Sequence, residues 1–233
     1  MSIVDSFEYA KEENGVLFER RVELRRLRTD QTGLRISKRI MDIVLVCIAL
    51  PIILPVIAAL WLLVRRDGGP GFFGHTRVGL GGKPFKCWKI RTMVVDAQAR
   101  LEEYLAENPE AAKEWALDQK LTNDPRVTRF GNFLRETSLD ELPQVWNILR
   151  GEMSLVGPRP VTRDEVRRYG WNRTAYLSMK PGLTGFWQAF GRNSVTYEER
   201  VRMDVQYLHN MSIWEDIKII LKTVVVVLDR TGK

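Results

Sequence analysis

An uninterrupted apolar run near the N-terminus limits what this chain can fold into more than any other feature. Residues 43–64 read IVLVCIALPIILPVIAALWLLV and contain no charged side chain. As an α-helix this stretch would be ~33 Å long, which is enough to cross a ~30 Å hydrocarbon core. A long and mostly polar segment precedes it and no small-residue cleavage site follows, so it is not a secretory signal. We therefore expect a membrane segment.

Two features of the run argue against a plain membrane crossing. Pro51 and Pro55 lie inside it, and each removes a backbone donor and crowds the preceding turn. Basic pairs flank both ends, at residues 38–39 and 65–66, so the positive-inside rule gives no orientation. A re-entrant helix that bends at a proline and leaves by the same face fits both features. An ordinary kinked transmembrane helix fits them equally well.

The rest of the chain is long enough for one globular domain. Of the 233 residues in the whole chain, 36 are Lys or Arg and 29 are Asp or Glu, which gives a formal net charge of +7. This excess suits an anionic partner, such as nucleic acid, an anionic membrane surface or a phosphorylated substrate, and composition alone does not choose among them. Cys47 and Cys87 are too few for a disulfide framework, which favours a reducing, cytosol-facing location.

The pattern of residues predicts an α+β fold, in which a small globular domain of amphipathic helices carries a short β-hairpin. We divide the chain into a basic arm (1–36), a re-entrant membrane hairpin (37–66) and a catalytic domain (67–233). The β-hairpin is expected at 72–93, with its turn at 79–83.

Four helices are predicted after the hairpin. The first covers residues 96–116, and the second runs from Asp140 to Leu149 behind a Ser-x-x-Glu capping box at Ser138, with Gly151 as its stop. The third covers about 196–208. A second capping box, at 212–215, opens the last helix.

The chemistry available to the chain must come from carboxylates and basic groups. The sequence contains no P-loop, no GxGxxG, no CxxC and no HExxH, and His75 and His209 lie far apart. Asp140 and Glu141 are adjacent in TSLDELPQ and are the candidate acids. Acids in a first helical turn also complement the helix dipole, so a purely structural role stays open for them.

Basic residues in compact loop contexts accompany these acids. Arg135 precedes them, Arg159 stands between prolines in GPRP, and Lys89 and Arg91 belong to KIRTM. With a helix N-terminus and a carboxylate they would form a phosphate site beside a nucleophile. Each of them taken alone could be an ordinary surface charge.

Several motifs in a fixed order give the chain a specific resemblance. KRIMDI precedes the apolar run, and GGPGFFGHTRVG, GKPFKCWKIRTM, TSLDELPQVWNILRGEMSLVGPRP, KPGLTGFWQAFGRN and YEERV follow it. Together they resemble the bacterial sugar transferase family, the monotopic polyprenol-phosphate phosphoglycosyl transferases, from about Ser37 to Gly232. Within it, the chain most resembles short enzymes of exopolysaccharide synthesis that transfer galactose 1-phosphate from UDP-galactose to undecaprenyl phosphate. The resemblance implies a bacterial cytoplasmic-membrane enzyme whose catalytic domain faces the cytoplasm.

The resemblance also implies a mechanism. Asp140 would attack the β-phosphate of the UDP-sugar, UMP would leave, and a phosphosugar-aspartyl intermediate would wait for undecaprenyl phosphate. Glu141 would be the partner carboxylate. Mg²⁺ would bridge Asp140 and the diphosphate, which offsets their mutual repulsion. Arg135 and Arg159 would hold phosphate oxygens.

Further motif residues carry over with less specific roles. Lys89, Arg91 and Thr92 match a motif near the site. Lys38 and Arg39 match a basic pair at the membrane interface. The re-entrant helix of the family commonly breaks at a Ser-Pro pair, and here Pro55 follows a leucine instead.

The expected partners are a UDP-sugar, undecaprenyl phosphate and the lipid bilayer, and a homodimer stays open. A membrane-tethered binder of anionic partners is one alternative, although no nucleic-acid motif is present. A polyprenol glycosyltransferase that releases UDP rather than UMP is another.

Overall fold

The N-terminal apolar run is one continuous α-helix. A computed structural model describes residues 32–118, 121–191 and 195–228, so most of the predicted basic arm lies outside the described residues. The helix α1 (Thr32–Val64) contains both Pro51 and Pro55. The expected helix-break-helix at Pro55 is therefore wrong for the backbone, because a proline removes only its own N–H and a long helix absorbs it as a local bend. A re-entrant path through a bilayer stays a prediction.

Much of the surface of α1 is apolar and exposed. The segment from Thr32 to Asp67 is long and apolar enough to cross a membrane, and only 11% of its most apolar window is buried against the rest of the protein. Ile48, Ile52 and Leu62 are exposed. Since the core helix of a soluble protein would bury such side chains, this exposure fits a membrane anchor.

The predicted β-hairpin is confirmed. Strand β1 (Phe72–Val78) pairs antiparallel with β2 (Pro84–Ile90), with Phe73 opposite Lys89. The connection contains a 3₁₀ turn in which Gly81 and Gly82 have φ of 69° and 81°, a conformation that glycine adopts without strain. The return strand ends at Ile90, before the expected Met93, and the chain then turns away to form the site described below.

The remaining elements are short helices and one parallel strand pair. In chain order they are α2 (Ala97–Glu107), α3 (Pro109–Asp118), α4 (Arg129–Glu136), α5 (Gln144–Leu149), β3 (Ser154–Val156), α6 (Arg163–Arg168), α7 (Arg173–Leu177), β4 (Gly182–Thr184), α8 (Phe186–Phe190), α9 (Tyr197–Asn210) and α10 (Ile213–Leu228).

Two helix predictions are confirmed and one is wrong in detail. The helix expected at 196–208 is α9, and the last helix is α10, where the Glu215 N–H donates to Ser212 Oγ at 3.1 Å. The single helix expected at 96–116 is two helices, because Pro109 lacks the N–H that would continue α2 and instead takes the first position of α3.

The parallel pair of β3 and β4 is absent from the sequence predictions. The two strands approach so closely that a Cβ on Gly182 would lie 2.1 Å from the backbone nitrogen of Gly157. The Gly157 N–H in turn donates to the Thr184 carbonyl at 2.9 Å. This contact brings the GPRP loop beside the KPGLTG loop.

The main hydrophobic core lies where α1, β2 and α5 meet. Its most buried members are Val46, Cys87, Ile90, Leu134, Ile148 and Met153. A second cluster joins β3 to α7, α8, α9 and α10 through Val156, Ala175, Ala189, Leu208 and Ile219. One face of α1 is thus part of the protein core, and this fixes the globular domain against the helix.

Lys38 is a buried ion-pair partner within the protein, and its expected place at the membrane interface stays a prediction. Only 9% of Lys38 is exposed, and its Nζ donates to Asp216 Oδ2 and to the Tyr207 hydroxyl at 3.1 Å. Asp216 has no exposed surface and also accepts from the Tyr207 hydroxyl at 2.6 Å. The start of α1 packs on α9 and α10, which supply the counter-charge that allows a buried ammonium.

Arg39 is likewise used inside the protein. Its Nη1 and Nη2 donate to the Ile148 and Leu149 carbonyls at 2.5 and 2.8 Å. These carbonyls lie at the C-terminal end of α5, where a cation complements the helix dipole. The predicted basic pair therefore attaches α1 to the globular domain.

Replacement of Lys38 should destabilise the fold. The substitution Lys38→Met leaves the Asp216 carboxylate buried without its cation, which costs about 3–5 kcal/mol. We expect a clearly lower melting temperature in detergent micelles. Lys222→Met, on an exposed face of α10, is the matched control and should leave it nearly unchanged. Equal melting temperatures for the two variants would mean that the Lys38–Asp216 pair does not stabilise the fold.

Candidate active site

Asp140 lies in a tight turn before α5 and not in the first turn of a helix. Residues Leu139–Glu141 form a 3₁₀ turn, and α5 begins only after Pro143. The predicted capping box at Ser138 is wrong, because Ser138 has φ 56° and makes no side-chain cap, whereas a capping serine needs an extended backbone. Gly151, with φ 78°, ends this segment as expected.

The turn packs against the end of β2, where one ammonium group meets both carboxylates. Lys89 Nζ lies 2.7 Å from Glu141 Oε1 and 3.4 Å from Asp140 Oδ2. Arg159 Nη2 lies 3.3 Å from the same oxygen of Glu141. The structure therefore brings four of the predicted site residues into one cluster.

The two carboxylates have opposite pKa shifts. Burial acts to raise the pKa of Glu141, but the charges of Arg159 and Lys89 outweigh it and lower that pKa to about 2. Burial raises the pKa of Asp140, and the attraction of Lys89 only partly opposes it. Glu141 is thus a fixed anion that holds the two cations, while Asp140, 5% exposed, is the poorly solvated and more basic carboxylate.

Arg135 is positioned beside Asp140 by Thr92. Arg135 Nε donates to Thr92 Oγ1 at 2.9 Å, and the Thr92 carbonyl accepts from the Thr128 N–H at 3.1 Å at the start of α4. Burial lowers the pKa of Arg135, and the charge of Asp140 acts to raise it. Thr92 therefore orients a guanidinium, which is a positioning role.

Arg91 lies away from the carboxylates, contrary to its predicted place among the phosphate-binding residues. Its guanidinium donates to the Pro70, Met93 and Val64 carbonyls at 2.6, 3.2 and 3.1 Å, and to Asp67. Residues two apart on a strand share a face, but β2 ends at Ile90, between Lys89 and Arg91, so the two side chains separate. Arg91 ties the end of α1 to the residues that follow β2.

The GPRP loop places Arg159 beside Glu141. Pro158 and Pro160 restrict the backbone on both sides of it. The loop is held to the hairpin because the Val78 N–H donates to the Val161 carbonyl at 3.0 Å. Arg159 keeps 45% of its side chain exposed, so its guanidinium can receive a ligand from solvent.

Several site residues were missed in the sequence. Arg77, Cys87 and Gln188 line the cleft, a cavity of about 20 Å³ beside Glu141. Strand alternation could have found Arg77, since it shares the hairpin face with Lys89. The side-chain oxygen of Gln188 is buried with no hydrogen-bond partner among the described residues, and nothing in the local sequence signals that.

Asn147 fixes the register of α5 against β2 and was also missed. Its Oδ1 accepts from the Trp88 N–H at 3.1 Å, and its Nδ2 donates to the Lys86 carbonyl at 2.7 Å. The fully buried Asn147 side chain thus makes the backbone hydrogen bonds that a neighbouring strand would otherwise make with β2. This contact sets where Lys89 meets the two carboxylates.

The donor set of the cleft suits Mg²⁺ only together with a substrate. Within residues 32–118, 121–191 and 195–228 no group of three or more His, Cys, Asp and Glu side chains could hold a metal ion. Glu141 pairs with Lys89 and Arg159, whereas Asp140 pairs with Lys89 at the longer distance of 3.4 Å, so Asp140 would be the carboxylate that a metal ion could use. Mg²⁺ commonly binds through one or two carboxylates plus substrate phosphates and water, so this set fits it.

Comparison with known proteins gives consistent matches over most of the chain. A UDP-galactose-lipid carrier transferase of Erwinia amylovora is 52% identical over 198 residues, which are 85% of this chain and 42% of that protein. An undecaprenyl-phosphate galactose phosphotransferase of Salmonella typhimurium has the same identity and coverage. The exopolysaccharide production protein ExoY of Rhizobium meliloti is 48% identical over 189 residues, which are 81% of this chain and 84% of that protein.

The chain spans less than half the length of the first two relatives. The family model described as bacterial sugar transferase matches residues 33–230, which include α1, the hairpin, both carboxylates and the GPRP loop. This match covers most of the chain. The protein is therefore a member of the bacterial sugar transferase family.

Proposed function

We propose that this protein transfers a sugar 1-phosphate from a UDP-sugar to undecaprenyl phosphate and releases UMP, as the first membrane step of exopolysaccharide synthesis. The observation that carries the proposal is the Asp140 carboxylate, buried and of raised pKa, between Arg135 and the Lys89–Glu141–Arg159 cluster. Such a carboxylate is a candidate nucleophile, and the surrounding cations suit a diphosphate.

In the first half-reaction an oxygen of Asp140 forms a bond to the β-phosphorus of the UDP-sugar. The bond between that phosphorus and the bridging oxygen breaks, and UMP leaves with the electron pair. The phosphosugar is then held on Asp140 as an acyl phosphate. Arg135 and Arg159 neutralise the phosphate oxygens as charge moves to the leaving group.

In the second half-reaction a phosphate oxygen of undecaprenyl phosphate attacks the same phosphorus. The bond to Asp140 breaks, which restores the carboxylate and gives undecaprenyl diphosphate sugar. Lys89 stabilises the anion as it re-forms, because it lies 3.4 Å from Asp140 Oδ2. Glu141 stays ionised throughout and holds Lys89 and Arg159 in place.

The sugar, the membrane and the assembly state belong to the same proposal. Galactose is the expected sugar, on the names of two relatives. The apolar helix α1 would hold the site at the cytoplasmic face of the inner membrane, where UDP-sugars are available and the lipid acceptor is anchored. A homodimer stays a prediction.

Asp140→Asn should abolish the first half-reaction. The amide is a poor nucleophile, so we expect UMP release to fall by about 1,000-fold or more. Incubation of the parent protein with a β-³²P-labelled UDP-sugar and no acceptor should label the protein, and the variant should stay unlabelled. Asp164→Asn, on an exposed carboxylate, is the control and should keep full activity.

The products decide between this proposal and its rival. Normal turnover by Asp140→Asn would overturn the covalent assignment. Formation of UDP in place of UMP would assign the protein as a polyprenol glycosyltransferase. UDP-galactose, UDP-glucose and their N-acetyl derivatives, compared in the same assay, test the expected sugar.

The pH dependence of UMP release should report Asp140. The carboxylate must be ionised to attack, so activity is lost as the pH falls through its raised pKa. Lys89 acts to lower that pKa, and Lys89→Met should therefore move the acidic limb of kcat/KM to higher pH. Lys86→Met, on the opposite face of β2, should leave the limb in place. An unmoved or lowered limb in Lys89→Met would contradict the role of Asp140.

Removal of divalent cations should stop the first half-reaction. Mg²⁺ bound by Asp140 and the diphosphate would supply positive charge between two anions that otherwise repel. We expect EDTA to abolish UMP release and excess Mg²⁺ to restore it. Full activity in EDTA would show that the cationic side chains alone suffice.

A further inference from the structure

A second cavity lies at the start of α1, apart from the cleft. It has a volume of about 100 Å³ and is lined by α1, β3, α9 and the loop after α7. We call it the α1 cavity. Arg35, Arg39 and Lys180 contribute its positive charge, and Leu80, Met179 and Met211 contribute apolar surface. Cations beside an apolar cavity match an amphiphile with an anionic head.

Two of these cations converge on one point beside Gly151. A Cβ on Gly151 would lie 3.5 Å from Arg39 Nη2 and 3.6 Å from Lys180 Nζ. Lys180 is half-buried, and no acceptor among the described residues forms a hydrogen bond or ion pair with it. Burial and the nearby charge of Arg39 lower the pKa of Lys180, and the charge of Asp42 only partly opposes them. A bound anion would offset both the burial of the Lys180 charge and its repulsion from Arg39.

The acids near the cavity are already engaged. Asp42 Oδ1 accepts from Ser154 Oγ at 3.1 Å and from the Leu155 N–H at 2.9 Å. Asp216 is paired with Lys38. Asp42 is the one carboxylate among the lining residues that the structure describes, and it faces Arg35, Arg39 and Lys180, so the cavity keeps an excess of positive charge that a bound anion would balance.

The cavity opens at the level expected for lipid headgroups. Arg35 and Arg39 lie in the first turns of α1, and the uncharged run begins at residue 43, about 6 Å further along the helix. Ile36 and Ile40 are 58% and 60% exposed on the same turns. Cations that precede a lipid-exposed helix by one turn lie beside phosphate groups.

The α1 cavity is too far from Asp140 to hold the acceptor during transfer. Arg39 binds the carbonyls at the C-terminal end of α5, whereas Asp140 precedes the N-terminal end of that helix. The six residues of α5 alone separate the two by about 9 Å. A phosphate beside Arg39 therefore cannot attack a group on Asp140.

We propose that the α1 cavity binds the phosphate headgroup of a membrane phospholipid. The phosphate lies against Arg39 and Lys180, and the first carbons of the lipid lie against Leu80, Met179 and Met211. This lipid holds the start of α1 and the KPGLTG loop at the membrane surface. The proposal does not depend on the transfer reaction.

Binding to the full chain in detergent micelles tests this site without reading activity. Dioctanoyl phosphatidic acid should bind saturably in a titration followed by native mass spectrometry and by thermal shift. Lys180→Gln should weaken that binding by about tenfold, the loss expected for one charge-assisted contact. Lys180→Arg should retain it. Lys113→Gln, which removes an exposed cation on α3, should not change it.

Three further ligands separate the sources of the signal. Dioctanoylglycerol should not bind, and inorganic phosphate should bind far more weakly than the phosphatidic acid. Equal binding of dioctanoylglycerol, equal affinity for inorganic phosphate, or unchanged binding in a folded Lys180→Gln would each overturn the proposal. Tighter binding of farnesyl phosphate at the same residues would overturn it in favour of the polyprenyl acceptor.

Discussion

The cluster of Lys89, Asp140, Glu141 and Arg159 depends on one ammonium group, Lys89 Nζ, which contacts both neighbouring carboxylates in a poorly solvated place. Without Lys89, Asp140 and Glu141 would repel each other with little water to screen them. Arg159 also offsets this repulsion, because it binds the same oxygen of Glu141 as Lys89 does. The two carboxylates therefore differ: Glu141 pairs with two cations, while Asp140 pairs more weakly with Lys89 and is the carboxylate proposed to react.

The cluster is assembled by contacts distant from the chemistry. Asn147 sets the register between α5 and β2 by binding a backbone N–H and a backbone carbonyl of the strand. Glycines at 157 and 182 let β3 and β4 approach closely enough to carry the GPRP loop to the cleft. These contacts explain why short elements, many of only a few residues, can hold a site precisely enough for phosphate chemistry.

Local patterns predicted the parts of this fold that depend on local energetics. The apolar run, the hairpin and its glycine turn, the stop at Gly151 and the cap at Ser212 all follow from backbone preferences and burial. Lys38 could not be placed in the same way, because its counter-charge comes from Asp216, far along the chain. Ser138 matched a cap but adopts a positive φ, since the packed turn and Pro143 decide its backbone. In the cluster, motif resemblance selected the carboxylates and cations, while the separation of Arg91 from Lys89 depends on where a strand ends.

The bonds from Arg91 to Val64 and Asp67 join the last turns of α1 to the strand end beside Thr92. Thr92 in turn orients the Arg135 guanidinium next to Asp140. With α1 as the proposed membrane anchor, the height of Asp140 above the hydrocarbon would be set by the protein backbone and not by the fluctuating lipid. Under the proposed function, a water-soluble donor could approach Asp140 from the solvent, whereas a lipid acceptor would have to arrive with its head group at that one depth. Such an arrangement would select lipids by how far the head group projects from the hydrocarbon chain, before any contact with the sugar is made.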